Sequence, residues 1–177
     1  MTERKALYWI KDNLGPAIQQ ALASFPGVIY TEDWLASMSY REIGHLIHRY
    51  DGKPVKTIAP LIKGDYANGE PNGFGFWQID RRSYPAFVKS GGWMNPLKCC
   101  MQAIEVLEEK RIYLQKQFPN LAGEALKRAI TAAYNCGQGN VTKALKSGKD
   151  VDAFTFKSDY SKEVWRFREI YKSLQSC

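Results

Sequence analysis

The residues best suited to chemistry in this chain are four carboxylates, Glu42, Asp65, Glu70 and Asp80. Within "WLASMSYREIGHLI", Trp34 to Ile47, the residues Leu35, Met38, Glu42 and Leu46 follow one another at steps of three, four and four. That is the period of one helix face. A carboxylate inside an apolar stripe is either held in an ion pair, here with Arg41 or Arg49, or is an acid whose pKa burial raises. The other three acids lie in or at the end of "KGDYANGEPNGFGFWQID", Lys63 to Asp80. Two carboxylates in unlike surroundings are what cleavage of a glycosidic bond needs. One stays protonated and donates to the leaving oxygen, and the other is ionised and orients water or stabilises positive charge on the sugar. Glu42 suits the first task, and Asp65 or Asp80 suits the second. Each acid also has a plainer reading: Asp80 precedes Arg81 and Arg82 and can pair with either, and Asp65 and Glu70 can simply be solvated.

The elements that must position these acids are mostly helices. The stretch from about Glu3 to Ser24 reads as two short helices, because "GP" at 15–16 interrupts it and "FPG" at 25–27 closes it. Thr31 is an N-cap for the Glu42 helix, with Glu32 and Asp33 suited to the positive end of its dipole. His48 and Arg49 suit the other end, and Gly52 and Pro54 stop it. The segment 63–80 holds four glycines and two Asn-Gly pairs, which predicts a small β-ribbon or irregular loop with Phe74, Phe76 and Ile79 in short strands. Asn95 caps a further helix with Pro96 in its first position. Leu97, Met101, Ile104, Leu107, Leu114 and Phe118 keep an approximate helical period beyond it. Another helix runs from about Ala122 to Asn135 and stops at Gly137, and the last runs from Ser161 to about Leu174. The pattern is mainly α: one helical domain over 1–177 with a small β insertion, its N-terminal helical segment 1–27 packed on it.

With 177 residues, 45% of them hydrophobic, the chain can bury a core of its own. No run of 18 or more apolar residues occurs, so membrane insertion is not expected. The start "MTERKALYWIKDNLG" does not read as a signal peptide. A net charge of +7 favours polyanionic partners, among them nucleic acids, acidic membranes and bacterial cell walls. No basic cluster denser than Arg81-Arg82, no zinc-finger spacing and no aromatic RNA-binding signature accompanies it, so nucleic-acid binding rests on charge alone. Cys99, Cys100, Cys136 and Cys177 form no C-x-x-C and read as free thiols, with Cys100 and Cys136 as small core hydrophobes. His45 and His48 lack the spacing of a metal site and read as surface or helix-end residues.

Four stretches, in order, resemble the goose-type lysozymes within the wider lysozyme and lytic-transglycosylase fold. They are "SYREIG" (39–44), "NGFGFWQIDRRS" (72–83), "AAYNCGQGNV" (132–141) and "DYSKEVWRFREIY" (159–171), and their order and rough spacing match over about residues 28–174. The resemblance implies a lysozyme-like helical domain with a small β-hairpin. It also implies cleavage of the β-1,4 bond between N-acetylmuramic acid and N-acetylglucosamine, with no cofactor and no metal. Carried over by position, Glu42 is the general acid and Asp80 one acid that positions the attacking water. Gln78, Tyr134, Asn135 and Tyr160 line the substrate groove or shape its catalytic end. The second loop acid maps to Asp65, which keeps a Gly-Asp dipeptide, or to Glu70, which keeps the spacing better; Asp65 is preferred. Tyr134 and Tyr160 also read as core rings, and Asn135 as a helix-end cap. Phe76-Trp77 stands where the family commonly has Leu-Met, and Cys136 replaces a small alanine. The disulfides of vertebrate members have no counterpart, which points to a bacterial or phage relative.

Three activities remain open at the level of sequence: a muramidase, a lytic transglycosylase that forms 1,6-anhydro sugar ends, and a peptidoglycan-binding module without chemistry. The loop acids favour the muramidase, acting with inversion. The expected partner is the peptidoglycan glycan strand, met by a monomer at the cell wall. Reaching the wall requires export by another route, release by lysis, injection into a rival cell, or trimming of a longer chain. Injection would imply a neutralising immunity protein.

Overall fold

A computed structural model describes residues 1–49, 53–66 and 68–174. The expected helix stop at Gly52 and the expected free thiol of Cys177 fall outside those residues. Contacts group the chain into two compact units, Met1–Ala103 with Phe167–Cys177, and Ile104–Arg166.

The first unit opens with α1 (Glu3–Ser24), a single helix where the sequence predicts two. Pro16 lies inside it, so one N–H is lost from the ladder and the proline ring crowds the preceding turn, at a cost of about 3 kcal/mol. The helix continues because Leu7, Ile10, Leu14, Ile18 and Ala21 make one stripe that is fully buried, and α1 packs on α2 (Glu32–Ile47). Glu32 stitches the ends: it accepts from Gln19 Nε2 at 2.8 Å and from the Tyr171 hydroxyl at 2.6 Å. Thr31 holds the cap position of α2 in extended conformation, but its hydroxyl makes no bond to the helix N–H groups. The C-terminal end of α2 is Ile47, ahead of His48 and Arg49.

After a short helix α3 (Val55–Ile58), three two-residue strands follow: β1 (Lys63–Gly64), β2 (Gly73–Phe74) and β3 (Ile79–Asp80). They form an antiparallel sheet in the order β1-β2-β3, with Gly64 opposite Gly73 and Gly73 opposite Asp80. Phe74 and Ile79 are in strands as expected, whereas Phe76 lies in the turn between them. That turn presses on its surroundings. A Cβ on Gly75 would stand 2.6 Å from the Trp93 carbonyl oxygen and 2.7 Å from Cys99 Sγ, and its φ is +76°. Only glycine fits there. Beyond α4 (Pro85–Lys89), Asn95 caps α5 (Pro96–Gln117) by accepting from the Lys98 N–H at 3.0 Å.

The second unit holds the remainder of α5, α6 (Gly123–Cys136), α7 (Gln138–Lys146) and the start of α8 (Tyr160–Ser173). Gly137, at φ +81°, ends α6 as predicted and also opens α7, a helix that the sequence does not announce. Asp152 is fully buried and reaches the start of α8, where it accepts from the Ser161 N–H (2.9 Å), the Ser161 hydroxyl (2.7 Å) and the Lys162 N–H (3.2 Å). A carboxylate there satisfies N–H groups that have no partner inside the helix. Among the described residues, no helix is long and apolar enough to cross a membrane.

Candidate active site

The predicted stripe on α2 exists. Leu35 and Met38 are fully buried and Leu46 nearly so, while Glu42 is half-buried between them. The hairpin is tied to this helix by its largest side chain. Trp77 is fully buried and its indole N–H donates to the Leu35 carbonyl at 2.9 Å, which links the turn after β2 to the first turns of the Glu42 helix. Phe76 is also fully buried, so the bulk of Phe76-Trp77 goes into the core.

The loop acids have separate surroundings. Asp65 is exposed and has φ +51°, in the left-handed region. Its carboxylate lies beside β2: a Cβ on Gly73 would stand 3.2 Å from Asp65 Oδ2 and 2.6 Å from Gln78 Oε1. Asp65 also acts electrostatically on His45, one helical turn beyond Glu42. Burial and the neighbouring Arg49 hold the His45 imidazole below its ordinary pKa, and Asp65 pulls the other way. Glu70 is exposed and sits 3.7 Å from Arg81.

Asp80 is half-buried on β3, opposite Gly73. Burial alone would raise its pKa. Bonds from Ser83, Asn72 and Arg82 outweigh that and hold the carboxyl below the usual range. The Ser83 N–H donates to Oδ1 at 2.6 Å and Asn72 Nδ2 to Oδ2 at 2.5 Å. Asp80 is therefore an ionised group locked into the hairpin, and Arg81 has Glu70 as an ion-pair partner. The Asn72 and Ser83 contacts escape the sequence reading, although Asp followed three residues later by Ser is a recognisable turn pattern.

Gln78 is buried, with φ +48°. Its Nε2 donates to the Gly75 carbonyl at 2.9 Å, and its Oε1 lies against the backbone of Gly64 and Gly73. The side chain thus lies along the sheet, and both glycines leave room for it.

In the second unit, Tyr134 is half-buried near the end of α6 and Asn135 beside it is exposed. The Phe156 N–H donates to Asn135 Oδ1 at 2.9 Å. Tyr160, at the start of α8, is only 2% exposed. Cys99 and Cys100 are fully buried free thiols, and Cys136 is a half-buried one. Burial pushes the Cys99 thiol up to about 12 and Cys136 to about 11. They remain protonated at neutral pH.

A mainly helical fold with one small three-stranded antiparallel sheet is consistent with a lysozyme-like fold. Comparison with known proteins agrees. The chain is 36% identical to lysozyme g of Struthio camelus over 101 residues, which cover 57% of this chain and 46% of that protein. It is 33% identical to lysozyme g of Casuarius casuarius over 101 residues, 57% of this chain and 50% of that one. Against lysozyme g of Takifugu rubripes the identity is 34% over 116 residues, 64% of this chain and 57% of that one. The chain spans about half the length of the curated relatives it matches. No protein-family model matches it. Over the matched span the chain is similar to goose-type lysozymes, the family that its four motifs resemble.

Proposed function

We propose that this chain is a muramidase, a single lysozyme-like catalytic domain that hydrolyses the β-1,4 bond between N-acetylmuramic acid and N-acetylglucosamine in peptidoglycan. The observation that carries the reading is the Trp77–Leu35 bond, because it fixes the acid-bearing hairpin against the helix that presents Glu42. Similarity to proteins named lysozyme g supports the same activity.

In this mechanism Glu42 donates a proton to the leaving glycosidic oxygen from its half-buried place in the apolar stripe of α2. Water attacks from the opposite face of the sugar, and the configuration inverts. Asp65 is better suited than Glu70 to receive the water's proton. It lies against the sheet next to Gln78 and acts on His45, whereas Glu70 is turned to Arg81. Asp80 supplies fixed negative charge at the other side of β2. Gln78 holds the sheet face beside Asp65 in shape. Within the second unit, Tyr134 and Asn135 are the residues that would contact glycan, and Tyr160, which is buried, would support them. The site of action is the cell wall, which carries the substrate.

The test is mass spectrometry of purified peptidoglycan digested by the wild type and by Glu42→Gln. Fragments with free reducing ends, absent from the Glu42→Gln digest, support the hydrolase. Fragments lighter by one water carry anhydro ends and would make the chain a lytic transglycosylase. No fragments from the wild type would leave a binding module.

A further inference from the structure

The segment 143–157 of the second unit carries a surface that the catalytic reading does not use. Phe156 is 63% exposed and Phe154 36%. Lys143 Nζ lies 5.3 Å and Lys149 Nζ 5.8 Å from the centre of the Phe154 ring, and Lys157 Nζ lies 5.5 Å from that of Phe156. Two ammonium groups thus lie within 6 Å of the centre of one exposed ring.

The acids of the segment are engaged with other groups. Asp150 lies 3.3 Å from Arg128 and 3.6 Å from Lys162, and Asp152 is buried against Ser161, Lys162 and Arg128. The backbone is also shaped for display. Lys157 and Ser158 both have left-handed φ, +59° and +55°, a conformation that is costly for residues with a Cβ. The turn is held by Asn135, which accepts from the Phe156 N–H.

From this we infer that Phe154 and Phe156, with Lys143, Lys149 and Lys157, form an accessory binding face for the acidic, peptide-bearing part of a glycan strand that also meets Asn135. The inference rests on the muramidase reading for the identity of the strand. Exposed phenyl faces suit the apolar faces of pyranose rings, and the ammonium groups suit the carboxylates of peptide stems. The face therefore distinguishes peptide-bearing strands from bare, neutral ones.

The experiment is co-sedimentation with purified, insoluble peptidoglycan, in a Glu42→Gln background so that the strand stays intact. Binding to soluble, neutral β-1,4-linked N-acetylglucosamine oligomers is measured alongside. The triple variant Lys143→Gln/Lys149→Gln/Lys157→Gln is expected to lose tenfold or more in affinity for peptidoglycan and to flatten its salt dependence. Its affinity for the neutral oligomers should change by less than about twofold, since ammonium groups gain nothing from an uncharged glycan. Phe154→Ala/Phe156→Ala should weaken both ligands severalfold. A matched triple, Lys89→Gln/Lys98→Gln/Lys116→Gln, removes the same charge from other exposed positions.

Equal losses from the two triples would reduce the effect to net charge and overturn the inference. So would unchanged binding by the first triple, or binding to anionic phospholipid vesicles with none to peptidoglycan. Release of reducing ends by chains that keep Glu42 is scored separately. Binding that depends on the lysines, without hydrolysis, removes the muramidase reading and keeps the face. Hydrolysis with lysine-independent binding does the reverse.

Discussion

The indole N–H of Trp77 donates to the carbonyl of Leu35 at 2.9 Å, across 42 residues of sequence and inside the core. One bond thereby joins the hairpin of Asp65 and Asp80 to the helix of Glu42. Trp77→Phe keeps an aromatic ring but removes the donor and leaves a smaller group in a close-packed place. We expect a loss of about 1–3 kcal/mol in urea unfolding. Reducing-end release should fall more than stability accounts for, because the acids lose their common frame.

Glu42→Gln removes the proton donor while keeping the shape of the side chain. Hydrolysis of peptidoglycan should drop about 10²–10⁴-fold, the range for loss of general acid catalysis. The far-ultraviolet circular dichroism spectrum should not change. Activity near wild type would remove Glu42 from the mechanism.

Gly73→Ala places a methyl group 2.6 Å from Gln78 Oε1 and 3.2 Å from Asp65 Oδ2. Overpacking of this kind costs about 1–3 kcal/mol. Combining it with Gln78→Ala should recover part of that loss, because the closest crowding atom, Gln78 Oε1, is gone while Asp65 Oδ2 and the Cβ of residue 78 stay at 3.2 Å. If Gln78 braces the sheet face beside Asp65, the double variant stays impaired in turnover; wild-type turnover would deny Gln78 that part.

Asp33 accepts from Arg168 Nε at 2.9 Å, and both side chains are nearly buried. Burial raises the carboxyl pKa, but bonds from Thr31 and Arg168 and the charges of Arg168 and Lys172 outweigh it, so the folded value lies below 3.8. A carboxyl depressed by folding contributes fully above its unfolded pKa and loses that contribution as the pH falls through the folded one. Asp33 stabilisation, with that of Asp80, is thus complete above about pH 4 and fades below it. Asp33→Ala removes the carboxylate that accepts from Arg168 Nε and should cost about 1.5–3 kcal/mol near neutral pH. The difference between variant and wild type should shrink in urea titrations below about pH 4.

Thiol reagents offer an independent check on the core. Cys99 and Cys100 should resist alkylation in the native protein at pH 8, because burial both shields the sulfurs and suppresses the thiolate. Peptide mass mapping before and after denaturation reads this directly. Rapid native modification at either position would contradict the packing of Cys99 against the Gly75 turn.

Local signals in the chain were enough for the Glu42 stripe, for the hairpin between its Asn-Gly pairs, for the Asn95 cap and for the stop at Gly137. Each of these depends on residues within a turn or two of one another. Distant partners are a different matter. The Asp33–Arg168 pair spans 135 positions, and no periodicity announces it. The continuity of α1 through Pro16 likewise depends on a stripe packed against α2, so tertiary burial overrides a local breaker. Asp80 was legible as a candidate, but the bond from Asn72 required the register of the sheet, whereas the bond from Ser83 is a local turn contact.

The clasp made by Asp152 has a consequence for how the chain survives cutting. Asp152 holds Ser161 and Lys162, while Asn135 holds Phe156. The exposed Lys157–Ser158 bond therefore lies between two fastened points. A trypsin-like protease that nicked the chain there would leave both new ends still bound, and the severed molecule would migrate as two pieces only after denaturation.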